Sequence, residues 1–320
     1  MKVSILIPTL NRLAYLKESL ASARAQTQEE LEILVSDDGS ADGSPEYVRA
    51  VSAEDARVRL APRNPRPGLF ENINHLVQLC TGEAFCILGD DDRLLPDFVA
   101  ELTRPLVADE TCVASFCDHW LIDAAGRRLR EATEHNSDLY GRTQLAEGPL
   151  PDALTQAMKG SMCMGFSLYR ARAFRSEPFD LDCGGAADFD YAIRAAQLGA
   201  LHFVKRRLGE YRVHAQTATA TRPSFMIDGV IQVFSKHSFS EPRHERQRRE
   251  ILRSRYRVKA LYECTADRAQ WRRSVKNYVA VGGHPLAPRI VLSGLLALMP
   301  RRVAPRLKQT FKLLSRVAAR

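Results

Sequence analysis

Phe85-Cys86-Ile87-Leu88-Gly89-Asp90-Asp91-Asp92-Arg93-Leu94-Leu95-Pro96 sets three adjacent carboxylates directly after an apolar run and shortly before a proline. The apolar run has the composition of a buried strand, so the carboxylates fall where that strand leaves the core. Neighbouring carboxylates repel, and burying any of them requires a cation or strong hydrogen-bond donors. Hard divalent cations meet that need through oxygen ligands. If the extended conformation runs on through the triplet, Asp90 and Asp92 share a face and can grip one ion while Asp91 points the other way. Read alone, the triplet is equally compatible with a solvated turn or a helix-start signal.

The flanking sequence decides between these readings. Val3-Ser4-Ile5-Leu6-Ile7-Pro8 is a β-branched run ended by proline, and Leu13, Leu16 and Leu20 follow at helical spacing. Leu31 to Ser36 reads as a second strand closing on Asp37-Asp38-Gly39-Ser40, and Ser44-Pro45 reads as an N-cap with proline at the first helical position. Val58-Arg59-Leu60 is a short third strand. Gly68 then opens a helical segment marked by Ile73, Leu76 and Leu79, which Thr81-Gly82 ends before the strand Ala84 to Leu88. Alternating strands and helices predict an α/β fold with a Rossmann-like, mixed but mainly parallel sheet and right-handed crossovers. Ligands of such sheets gather outside the carboxyl ends of the strands. The turn Pro8-Thr9-Leu10-Asn11, the pair Asp37-Asp38 and the triplet Asp90 to Asp92 all lie there, which favours a binding site over a solvated turn.

At 320 residues and 45% apolar, the chain can bury a large core without disulfides or metals as staples. Its seven cysteines are odd in number and never two apart, so they read as small core residues of a reducing compartment. The apolar start is broken by Pro8, Asn11 and Arg12, too early for a secretion signal, and is expected to be a strand. Ile290 to Met299 is too short to span a bilayer, which takes about 20 residues. Charge is unevenly divided. Residues 1–240 carry 26 Lys and Arg against 33 Asp and Glu, net −7, whereas residues 241–320 carry 20 against 5, net +15. The expected organisation is an α/β domain over 1–225, in two halves 1–110 and 111–225, and a basic helical region over 226–320. No nucleic-acid-binding motif accompanies the basic region, so nucleic acid is not an expected partner.

At this point the sequence resembles the family 2 glycosyltransferases, which have the glycosyltransferase A fold. The resemblance is carried by Ser4 to Arg12, Val35 to Ser40, Gly68 with Asn74, Gly82 to Phe85 and Leu88 to Pro96. It continues through Gly165 to Arg170, Ala187 to Tyr191, Arg194 and Tyr211-Arg212-Val213-His214, covering roughly the first 220 residues in the family's order. It implies that Pro8, Thr9, Asn11 and Asp38 hold the nucleotide base, a carboxylate selecting a uracil- or thymine-like edge. Asp90 and Asp92 correspond to the family's D-x-D pair, Asp90 toward ribose and metal and Asp92 toward metal and diphosphate, with Asp91 beside them in the nucleotide site. Gly89 stands where many members carry an acidic residue, so the sequence leaves open which two aspartates face the ion. Asp188 matches the family's catalytic base, with Ala187 replacing the usual glutamate, and His214 matches a histidine that completes the metal or diphosphate site. Its imidazole suits Mn²⁺ better than Mg²⁺. Without the resemblance, Asp188 is more simply a charge at a helix N-terminus, and Asp38 an Asx-type turn residue.

The implied reaction is metal-dependent, inverting transfer from a UDP- or dTDP-type sugar to a hydroxyl of a glycan or lipid-linked acceptor, using Mn²⁺ or Mg²⁺. The setting it implies is bacterial cell-surface polysaccharide synthesis on the cytoplasmic side. Met162-Cys163-Met164-Gly165 is a candidate wall against water. From Pro242 onward arginine clusters alternate with apolar residues and lead through Ile290 to Met299 into Arg301, Arg302, Arg306, Lys308, Lys312, Arg316 and Arg320. This pattern suits either an interfacial segment on the inner face of an anionic membrane or basic helices packed on the catalytic domain or on a second subunit of a homo-oligomer. A sugar nucleotidyltransferase is a rival reading, but it calls for a glycine-rich phosphate loop that Pro8 to Arg12 lacks. A non-catalytic sugar-nucleotide or membrane-binding module of the same fold is the other rival.

Overall fold

The computed structural model describes residues 1–62, 68–214, 223–264 and 266–298. The end of the basic tail, Met299 to Arg320, lies outside the described residues. The chain divides into two compact units, one formed by Met1–Leu181 with Ala187–Thr221 and the other by Asp182–Ala186 with Arg222–Arg320. The boundary expected at residue 225 falls in the first turn of a helix, Pro223–Lys236.

The first unit is built on a nine-stranded sheet: β1 (Val3–Thr9), β2 (Leu31–Asp37), β3 (Val58–Leu60), β4 (Ala84–Ile87), β5 (Arg93–Leu94), β6 (Cys112–Ile122), β7 (Gly148–Pro149), β8 (Ser167–Arg170) and β9 (Ala200–Arg212). Their order is β3-β2-β1-β4-β8-β6-β9-β5, with β7 also on β9. β3, β2, β1 and β4 are parallel neighbours, and β6 runs parallel to β9. β8 is inserted antiparallel between β4 and β6, so β4 and β6 point the same way. The sheet is therefore mixed and mainly parallel, as the alternation in sequence predicts. The carboxyl ends of β1, β2, β4, β6 and β9 consequently share one edge.

Helices α1 (Leu13–Arg24), α2 (Ser44–Glu54) and α4 (Phe98–Ala108) cover one face, packing Leu16, Leu20, Val48, Val51, Phe98 and Leu102 against Val3, Ile5 and Ile7. Helix α3 (Leu69–Leu79) returns the chain from the sheet edge to β4, and a right-handed crossover puts it on the opposite face. There Phe85, Tyr169, Phe174, Phe179 and Tyr191 form a continuous aromatic layer, with Phe179 stacked on Tyr191 at 3.8 Å between centroids. Such pairs add directional preference to plain area burial. Ser44 is not the cap of α2 but its first residue. The Asp42 carboxylate accepts from its N–H at 3.1 Å and its hydroxyl at 2.6 Å, and from the Leu13 N–H at 2.8 Å, so one side chain fastens the starts of α1 and α2. The shorter α5 (Arg130–Leu139), α6 (Ala153–Lys159) and α7 (Ala171–Phe174) and the longer α8 (Ala187–Leu198) complete this unit.

The second unit is helical: α9 (Pro223–Lys236), α10 (Pro242–Glu263), α11 (Arg268–Ala280) and α12 (Pro288–Leu298). Asp267 caps α11 by accepting from Ala269 and Gln270 N–H groups. Cys264, Leu296 and Ala297, with Trp271 and Leu292, form a small core, and the Trp271 indole donates to Ser293 at 2.9 Å. All seven cysteines are free thiols.

Candidate active site at the carboxyl edge of the sheet

The turn after β1 is fastened to both neighbouring strand ends. The buried Thr9 hydroxyl donates to Asp90 Oδ2 at 2.8 Å, and the Leu10 N–H reaches the same oxygen at 3.4 Å. Arg12 Nη1 bridges Asp90 Oδ1 at 3.1 Å and Asp91 Oδ2 at 2.6 Å. Asn11 occupies the left-handed region at φ 53°, a conformation asparagine tolerates better than most residues. Its N–H donates to Ser40 Oγ at 2.7 Å and its side-chain oxygen accepts from Ala41 N–H at 2.8 Å, tying the ends of β1 and β2 together. Pro8 is buried at a point where β1 has outrun β4, whose pairing stops at Leu6 with Ile87. A missing donor disrupts no ladder on that side.

β4 ends at Ile87, and the Asp92 N–H donates to Gly89 O at 3.1 Å, closing a turn. The extended conformation thus does not continue through the triplet, and strand alternation does not sort its side chains. Both Asp90 oxygens are committed to the β1 turn. Asp91 Oδ2 is shared by Arg12 and by His214 Nε2 at 3.0 Å. Asp92 Oδ1 accepts from the Arg212 N–H at 2.8 Å. A Cβ at position 89 would lie 2.8 Å from Asp92 Oδ2 and 3.1 Å from Asp91 Oδ1. Those two oxygens therefore close over the Gly89 Cα, which explains why no acidic residue stands there.

Asp91 Oδ1 and Asp92 Oδ2 are also the two carboxylate oxygens of the triplet without a hydrogen-bond partner among the described residues. Asp90 and Asp92 are each only 6% exposed. Burial, helped by the other two carboxylates, pushes Asp92 well above the usual carboxylate range; burial also raises Asp90, against the pull of Arg12. The buried Asp92 carboxylate, raised by burial, presents one free oxygen and Asp91 another beside the same Gly89, a pair that fits a hard divalent cation.

A residue absent from the sequence reading of this site holds the turn in place. Arg212, whose side chain is fully buried, donates from Nε to Asp91 O at 2.7 Å, from Nη1 to Ala124 O at 3.1 Å and from Nη2 to Glu18 Oε2 at 2.6 Å, and lies over the Tyr15 ring. The only sequence signal for it is its place within Tyr211-Arg212-Val213-His214 at the end of β9.

At the end of β2 the paired aspartates divide their roles. Asp37 makes the Asx-type turn, accepting from Gly39 N–H at 2.9 Å and Ser40 N–H at 3.0 Å. Asp38 instead reaches across to the Gly68 N–H at 2.9 Å. The turn role considered for Asp38 therefore belongs to its neighbour.

Asp188 is the second residue of α8, and its carboxylate accepts from the Phe189 N–H at 2.9 Å. Burial raises it to about 6, inside the range useful to a base at neutral pH. Asp190, by contrast, is fully buried in an ion pair with Arg194 at 2.9 Å. The Cys163 thiol, pushed up to about 12 by burial, lies within electrostatic reach of both Asp92 and Asp188. Gly165 passes close to Asp92, since a Cβ there would lie 3.8 Å from Oδ2. Met162 of the same loop is buried packing, while Met164 is half-exposed.

This loop rests on polar residues in a stretch whose sequence carried no readable chemistry. The buried Arg142 donates to Asp118 Oδ1 at 2.7 Å and to Ser161 O at 3.5 Å. Burial works against the Asp118 charge, yet hydrogen bonds from Ser137 and Arg142 hold it below its ordinary value. Next to it His119 stacks on Phe166 at 4.7 Å, is pushed down to about 3 by burial and the nearby arginines, and has a buried Nδ1 without a partner.

The chain matches the profile of "Glycosyl transferase family 2" over residues 4–175. It is 28% identical over 205 residues to a chondroitin synthase of Escherichia coli, an alignment covering 64% of this chain and 28% of that protein. It is 33% identical over 104 residues to the GalNAc(5)-diNAcBac-PP-undecaprenol beta-1,3-glucosyltransferase of Campylobacter jejuni, covering 32% of this chain and 34% of that one. The chain thus spans about a third or less of those relatives. Among solved structures, S. aureus TarS 1-349 in complex with UDP-GlcNAc superposes with a TM-score of 0.66 at 14% identity, covering 96% of this chain and 88% of that one. The mannosyltransferase PcManGT of Pyrobaculum calidifontis, in complex with GDP-Man and Mn²⁺, gives 0.59 at 18% identity over 96% and 84%. The fold is the glycosyltransferase A fold expected from the sequence, and the chain belongs to glycosyl transferase family 2.

Proposed function

We propose that this chain transfers a sugar from a UDP- or dTDP-type donor to a hydroxyl of a glycan or lipid-linked acceptor, with inversion and with a divalent cation. The reading places this step in bacterial cell-surface polysaccharide synthesis on the cytoplasmic side. The observation that carries it is that Asp38 and the Asp90–Asp92 turn follow the carboxyl ends of two parallel strands, while Cys163 lies within electrostatic reach of both Asp92 and the base-range Asp188. TarS with UDP-GlcNAc supports a uridine donor, and the mannosyltransferase with GDP-Man and Mn²⁺ supports a nucleotide-sugar donor in general and the ion.

Each residue has a distinct task in this reading. Asp38, already anchored on Gly68, accepts from the donor edge of the base. Asp92 and Asp91 offer the free oxygens for Mn²⁺ or Mg²⁺. Asp90 and His214, assigned to the ion by resemblance, are engaged with Thr9 and Arg12 and with Asp91, and would hold the ion only by giving up those partners. The bound ion supplies Lewis-acid stabilisation of the negative charge on the departing nucleoside diphosphate. Asp188 takes the proton of the acceptor hydroxyl as its oxygen attacks the anomeric carbon, a contribution of about 10²- to 10⁴-fold. The Cys163–Gly165 segment beside Asp92 shields the reacting centre from water.

The test is a panel of nucleotide sugars assayed for release of nucleoside diphosphate with Mn²⁺, Mg²⁺ or a chelator. Chelator-sensitive release with a uridine or thymidine donor supports the reading. Absence of release or transfer with every donor would favour the non-catalytic module.

A further inference from the structure

Among its described residues the second unit leaves a group of large apolar side chains exposed. Helix α12 buries Ile290, Ser293, Leu296 and Ala297 on one side. Its other side is expected to be polar, yet Val291, Leu295 and Leu298 stand there 42%, 55% and 78% exposed. They recur four and three residues apart, within one narrow arc of the helix. Leu286, in the turn before the helix, is 71% exposed, and Val279 near the end of α11 is 43% exposed. Beyond Arg289 the helix has no charged residue at all.

The segment that carries this surface has charge of one sign. From Arg268 to Arg320 the sequence holds 12 Lys and Arg and no Asp or Glu. The acidic residues of α10 are already engaged with its own arginines and lysine, Glu245 with Arg248 and Arg249, Glu250 with Arg253 and Glu263 with Lys259. Arg272, Arg273 and Lys276 on α11 and Arg289 on α12 are exposed. The partner must therefore be apolar where Val291, Leu295 and Leu298 touch it and anionic around them. A second copy would bring the same cationic segment against this one, and like charges across an interface oppose association. Nucleic acid would satisfy the arginines but would leave the apolar arc in water. A bilayer surface bearing anionic headgroups satisfies both.

We propose that α12 is the docking face of this chain on an anionic lipid bilayer, with Val291, Leu295 and Leu298 entering the headgroup boundary and Arg272, Arg273, Lys276 and Arg289 engaging lipid phosphates. No described helix is long and apolar enough to cross a membrane, so the contact is interfacial. The assignment does not rest on the sugar-transfer reading, and it fails or stands separately from it.

The experiment is flotation of the full chain with phosphatidylcholine vesicles, with and without phosphatidylglycerol, beside the Leu295→Asp/Leu298→Asp double variant. The expected result is binding to the anionic vesicles only, weakened about tenfold or more in the double variant. The helical circular dichroism signal and nucleoside-diphosphate release from a soluble donor should be unchanged in that variant. A charge-reversal variant, Arg272→Glu/Arg273→Glu, should weaken the same binding and flatten its salt dependence. Equal binding to neutral and anionic vesicles, no binding to either, or indifference to Leu295→Asp/Leu298→Asp would overturn the proposal. So would a stable dimer in solution that the double variant dissociates, or an oligonucleotide that binds as tightly as the vesicles and is unaffected by the leucine changes.

Discussion

The main-chain N–H of Arg212 donates to Asp92 Oδ1 at 2.8 Å, while the guanidinium of the same residue holds the carbonyl of Asp91 at 2.7 Å. One residue of β9 thus fixes both the side chain and the backbone of the carboxylate turn after β4. The remaining donors of Arg212 reach Glu18 and the turn at Ala124, so three separate segments meet on one buried cation.

Replacing Arg212 with alanine should keep the N–H to Asp92 but lose the guanidinium contacts. The expected cost is on the order of 3 kcal/mol of stability, together with weaker metal-dependent donor binding. Chemical denaturation and donor titration with and without Mn²⁺ check the two effects. A variant with unchanged donor affinity would show that Arg212 serves the fold alone.

Asp188 gives a pH signature. Burial raises its folded value to about 6, above that of an exposed aspartate, and only the ionised form can accept a proton. Transfer should therefore rise with pH through about 6 and level off above it. Asp188→Asn should lower kcat by about 10² to 10⁴ and leave donor affinity nearly unchanged, whereas Asp92→Asn should lower metal-dependent donor binding itself. A pH profile flat from 5 to 8, or full activity in Asp188→Asn, would remove Asp188 from the base role.

Asp38 accepts from the Gly68 N–H through one oxygen and has the other free for a base. A charge-assisted hydrogen bond lost on substitution is worth about 1.5 to 3 kcal/mol, or roughly 10- to 100-fold in affinity. Asp38→Ala should weaken UDP or dTDP binding by that factor and blunt discrimination against cytidine nucleotides. Calorimetry with the four nucleoside diphosphates measures both.

Gly209 of β9 leaves the space that Phe166 fills, since a Cβ there would lie 2.0 Å from that ring. Gly209→Ala should cost about 1 to 3 kcal/mol by overpacking and displace Phe166 with the adjoining Gly165 that passes Asp92. The reading predicts a fall in kcat larger than the change in donor affinity. Equal losses in both would mean that the displacement does not reach the acceptor side selectively.

Period and punctuation in the sequence were enough for the strands of the first 110 residues. Val3 to Pro8, Leu31 to Ser36 and Ala84 to Leu88 are apolar runs bounded by proline, glycine or aspartate, and their alternation with helices dictates parallel strands whose acidic ends share an edge. The partners of those ends were not legible. Whether Asp90 or Asp91 keeps a free oxygen depends on a turn closed by Gly89 and on Arg12 and Arg212, the latter 120 residues away in sequence. Arg142 beneath the Ser161–Gly165 loop and Asp118 beside it were equally hidden, because ion pairs between distant strands and helices leave no periodic trace. Sequence by itself determined the family, the layered sheet and the edge where the carboxylates collect, since these follow from local pattern. Only the tertiary structure decided which carboxylate oxygens are free and what holds them, because hydrogen bonds across the sheet depend on how strands far apart in the chain are brought side by side.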